Sequence, residues 1–111
     1  MPKFKVQNHI LSHADDAPII KGRPKDWTEE DQEIAVAWFA TLPLKELRKR
    51  QSFNNMQTIH AAKLYDTPAY EGSDVAKDSF ADLEMIRDLL MDAVGRQTFG
   101  KDWNVKEETN V

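Results

Sequence analysis

Cysteine is absent from the 111 residues, which excludes a disulfide framework, a zinc–thiolate centre and a cysteine nucleophile together. Long apolar runs are missing too, the longest being a few residues against the ~20 that a membrane-spanning helix needs. Lys3 and Lys5 are followed by no apolar core of signal-peptide length, so the expectation is a cytoplasmic protein with no membrane association. No serine (Ser12, Ser52, Ser73, Ser79) has the surroundings of a nucleophile elbow or a catalytic triad. No nucleotide-binding motif, internal repeat or low-complexity tract is found. The chain is therefore read as having no catalytic chemistry and no cofactor.

What is present is ordinary for a small soluble domain, with 41% hydrophobic and 31% charged residues. The net charge of −4 hides bands of opposite sign. Residues 1–26 are net basic, 27–42 net acidic, 43–66 net basic and 67–92 net acidic, and 93–111 balance. Alternating bands of this kind fit mutual neutralisation within a helical assembly better than a polyanion partner.

The periodicity predicts an all-α fold: a short capped helix, then a long antiparallel helical hairpin, with an irregular N-terminal arm. In the arm, residues 1–26, the apolar Val6, Ile10, Leu11, Ile19 and Ile20 show no sustained period, and Pro18, Gly22 and Pro24 interrupt any helix. A three-helix domain over 27–100 follows, with helices at about 28–42, 43–66 and 73–99. Thr28 is a suitable N-cap, and Glu29 and Glu30 place negative charge at the helix start. Pro43 closes the first helix and opens the second. Asp66–Gly72 forms the loop, Ser73 or Asp74 caps the third helix, and Gly100 stops it. Residues 101–111 are a polar tail apart from Trp103. Antiparallel packing would bring Lys63 near Asp74 and Asp78, and Lys45, Arg48, Lys49 and Arg50 near Asp88 and Asp92.

The second helix offers two stripes. One runs Leu47, Gln51, Asn54, Thr58, Ala61, Tyr65 and is polar in its middle; the other runs Phe53, Met56, His60, Leu64 with Ile59 beside it and is more apolar. A buried amide seam can fix register or oligomeric state, whereas an exposed one is a wet outer face. Gln51, Asn54, Thr58 and Tyr65, with Tyr70 in the loop and Trp103 beyond the third helix, are the candidate interaction residues, since Trp and Tyr are enriched at interfaces.

Lys45, Arg48, Lys49 and Arg50 form a basic patch able to hold phosphates, although acidic neighbours and the negative net charge favour a solvated face. His9, His13, Asp15 and Asp16 have metal-ligand chemistry at helical spacing, but Ile10 stands where a catalytic Glu belongs and Pro18 and Gly22 give no rigid frame. No metal site is expected. The resulting reading is a small helical interaction or adaptor protein, self-associating or bound to a protein partner. The alternative is a small nucleic-acid-associated regulatory protein using the basic start of the second helix.

Overall fold

A computed structural model describes residues 17–103. Those residues are helical with no strand: a 3-10 turn at Pro24–Asp26, then α1 (Glu29–Phe39), α2 (Leu44–Tyr65) and α3 (Asp74–Phe99). The expected all-α class is the observed one, with α2 and α3 packed as the long hairpin.

Local chemistry accounts for most helix ends. The Thr28 hydroxyl accepts the Asp31 N–H at 3.1 Å, and three acidic residues occupy the first turn of α1, where they meet the positive end of the helix dipole. The Ser73 hydroxyl accepts the Ala76 N–H at 3.2 Å and starts α3. Gly100 closes α3 at φ 106° while donating to the Arg96 carbonyl at 2.8 Å, a backbone conformation that side-chain-bearing residues seldom adopt.

α1 corrects one expected boundary, ending at Phe39 rather than Leu42. Pro43 disfavours helical dihedrals in the residue before it. The chain tightens instead, Thr41 and Leu42 donating three residues back to Trp38 and Phe39 at 3.0 and 2.9 Å. The Gln97 side chain of α3 donates to the freed carbonyls of Ala40 and Leu42.

The hairpin is antiparallel. Near the loop, Tyr65 and Ser79 share a hydroxyl hydrogen bond at 3.4 Å, and at the other end Gln97 reaches the start of α2. The core occupies only that second end. Trp27, then Ala35, Val36, Trp38 and Phe39 of α1, Leu47 of α2 and Ile86, Leu89, Leu90 and Ala93 of α3 are its buried members, together with Ile20. Each large aliphatic or aromatic side chain so buried stabilises the fold by about 1.5–3 kcal/mol.

The part of the arm within the described residues touches the helices, although Ile19 stays exposed. Ile20 and Pro24 are buried. Arg23 donates to the Asp82 carboxylate of α3, and the Lys25 backbone N–H donates to the same carboxylate at 3.0 Å. No strand forms at Ile19–Lys21.

Candidate interaction surface

The charge bands do not close the hairpin in the expected way. Asp78 meets Arg23 and Lys25 of the N-terminal segment. Asp88 pairs with its neighbour Arg87 at 3.4 Å, and Asp92 with Arg96 at 3.4 Å. Ion pairs instead tie the other layers to α3. Arg96 clasps Glu33 of α1 through both carboxylate oxygens, at 2.7 and 2.8 Å. Its hydrogen bonds hold the Glu33 carboxyl below the usual carboxylate range, against a smaller opposing desolvation, and the same bonds raise the Arg96 guanidinium.

Of the two stripes on α2, the polar one faces inward. Leu47 is fully buried and Asn54 is 1% exposed. The Asn54 carboxamide donates to the Leu83 carbonyl of α3 at 3.2 Å, and Thr58 donates to the Asn54 carbonyl at 3.0 Å. Gln51 and Tyr65 are half-buried on this seam. The Tyr65 ring meets Tyr70 edge-on, centroids 4.9 Å apart, and Phe80 at 6.1 Å. Asn54 and Tyr65 of this seam thus pack on the chain's own third helix, Thr58 bonds back within α2, and Tyr70 meets Tyr65 at the loop end.

Trp103 also lies on its own chain. Its indole N–H donates to Asp92 at 2.8 Å, its ring stacks near Phe99 at 6.4 Å, and its six-membered ring covers Gly95, where any Cβ would overlap it. Gly95 is therefore a notch for the indole in α3. Spacing gave no sign of this, since the pairing depends on the chain reversing after Gly100.

The basic patch divides. Arg50 turns toward α1, bonded to Glu46 at 3.1 Å, its guanidinium 5.4 Å from the Trp38 ring centroid. Lys45, Arg48 and Lys49 are exposed and, among the described residues, make no ion pair. With Ser52, Phe53 and Met56 they line an open groove along α2.

The face of α2 opposite the seam carries Lys45, Lys49, Ser52, Met56, Ile59 and Lys63 at alternating steps of four and three, all exposed. Met56 and Ile59 are each 54% exposed and Leu64 beside them 53%. This outer face is basic in its first half and apolar in its second. Only the stretch of Met56, Ile59 and Leu64, opposite the buried Asn54, departs from a surface helix that turns apolar residues in and polar ones out.

Among the described residues no group of three or more His, Asp or Glu is placed to hold a metal ion; His9, His13, Asp15 and Asp16 lie outside them. No helix of the described residues is long and apolar enough to cross a membrane. No known family model matches the chain, and no curated protein or solved structure shows significant similarity to it.

Proposed function

We propose that this is a helical interaction protein whose binding surface is the outer face of α2, with no catalytic chemistry of its own. One observation carries the reading: on the distal half of α2 the polar seam is used internally while Met56, Ile59 and Leu64 face outward. Apolar side chains spaced three and four apart on a rigid helix are what a second helix packs against. The surface differs from the one the sequence favoured, because Asn54 and Thr58 are hydrogen-bonded within the chain.

The test is a photo-crosslinking residue at Ile59, compared with one at Lys77, also exposed but on α3. Protein adducts of defined mass from position 59 that disappear with Met56→Glu support the reading. Equal yields from both positions, or none from 59, would sink it.

A second reading draws on Lys45, Arg48 and Lys49, cations without an ion-pair partner among the described residues. They could contact nucleic-acid phosphates. Binding to a mixed-sequence duplex that falls steeply with salt and is lost in Lys49→Glu supports this alternative; no binding at low salt removes it.

A further inference from the structure

The exposed charges of the hairpin that make no ion pair among the described residues divide unevenly: cations alone at the start of α2, and three acids outnumbering Lys63 and Lys77 at the loop end. Lys45, Arg48 and Lys49 sit in the first turns of α2, where cations oppose the helix dipole. At the other end, Asp66, Glu71 and Asp74 are exposed around the loop and, among the described residues, likewise make no ion pair. Between the two groups lie Met56 and Ile59. The 22-residue helix is straight enough in register to place Lys49 and Asp66 each about 13 Å from the point midway between Gln57 and Thr58.

That arrangement is self-complementary. A two-fold axis through the midpoint sets Met56 of one copy against Ile59 of the other, Ser52 against Lys63, and Lys49 against Asp66. Every contact occurs twice, as an isologous interface requires. A parallel pairing would instead set Lys45 on Lys45, Lys49 on Lys49 and Lys63 on Lys63, which like-charge repulsion disfavours. Antiparallel pairing also brings the negative end of one helix dipole to the cations of the other.

We infer that the occupant of the outer face is a second copy of this chain, its α2 antiparallel to the first, with each basic patch against the other copy's acidic hairpin tip. The inference rests on the interaction reading above and names its partner. Charges at the rim of an apolar strip set register and salt dependence more than overall affinity, so the dimer weakens as salt rises.

Sedimentation of the full chain over a concentration series at low salt tests this with two charge-swapped variants. One is Arg48→Glu with Lys49→Glu; the other is Asp66→Lys with Glu71→Lys. All four positions are exposed, and circular dichroism establishes that both variants keep the helical fold. Each variant alone is expected to raise the dimer Kd at least about tenfold, because both of its charge contacts become repulsive. An equimolar mixture is expected to recover wild-type association as a heterodimer, because both contacts are then attractive. A wild-type dimer whose swapped variants fail to recover on mixing overturns the register. A dimer whose Kd neither swap raises points to parallel pairing, where like still faces like after the swap, and overturns it as well. A wild type monomeric throughout overturns self-association, while position-59 adducts with a different protein would leave the interaction reading standing.

Discussion

At the end of the hairpin nearest α1, Leu47 and Leu90 are wholly buried and Phe39 fills the space between the layers. At the far end the same two helices meet through Asn54 on the Leu83 carbonyl and Tyr65 on Ser79 and Phe80, and Met56, Ile59, Leu64 and Val75 face solvent. The near end has four contributors: the segment before α1, α1 itself, α2 and α3. The far end has its third layer reduced to Arg23 and Lys25 paired with Asp78 and Asp82, and two helices alone cannot enclose an apolar core between them. Its inner seam can therefore be polar at little cost, and its outer face is available for binding. Stability and recognition have been assigned to different lengths of the same helix.

The largest effect expected from this contrast is on folding. Phe39→Ala should cost about 3–5 kcal/mol through lost burial and the cavity left behind, a large share of the ~5–15 kcal/mol typical of a domain. Ile59→Ala should change stability by no more than about 0.5 kcal/mol. Urea unfolding in dilute solution compares them, and a loss at Ile59 approaching that at Phe39 would erase the distinction between the two ends.

A smaller effect sharpens the boundary of the near end. In a Trp103→Ala background, Gly95→Ala should stabilise α3 by about 1 kcal/mol, the helix-propensity difference. With Trp103 present the gain should vanish or reverse, since the new methyl displaces the indole. A double-mutant cycle measures the coupling; additive effects would mean that Trp103 does not rest on Gly95 in solution.

The smallest effect is electrostatic. The folded Glu33 carboxyl is depressed by its hydrogen bonds from Arg96. Its contribution is thus present above the unfolded carboxylate pKa and lost as pH falls through the lower folded value. Glu33 is about half exposed, so solvent screening limits the contribution to ~0–1 kcal/mol. Glu33→Gln should be slightly less stable than wild type at neutral pH and equal to it once the carboxyl is protonated. A difference that persists in acid would assign the effect to packing.

Much of this was readable from local chemistry. Thr28, Ser73 and Gly100 announce helix ends because a hydroxyl or a missing Cβ acts within a turn of its own position. The facing of α2 was ambiguous because packing, not polarity, decides it: Leu47 is drawn into the core at one end, and the stripe it begins follows inward whatever its middle contains. Arg23 with Asp82 and Glu33 with Arg96 left no mark, since pairs separated by 59 and 63 positions have no periodic signature. The charge bands suggested a match within the hairpin, but the acids of α3 other than Asp74 are taken by Arg23, Lys25, Arg87 and Arg96.

Asn54 has a consequence for alignment. A carboxamide this deeply enclosed is tolerated where it finds a carbonyl and penalised where it does not, by about 1–3 kcal/mol. Sliding α2 along α3 by one turn would strand it against side chains with nothing to accept its proton. The distal seam is otherwise small and weakly apolar, so it resists such a slip less than the Leu47 end does. The amide therefore sets the zero of the scale for the distal half, and Met56, Ile59 and Leu64 on the outer face are measured from it.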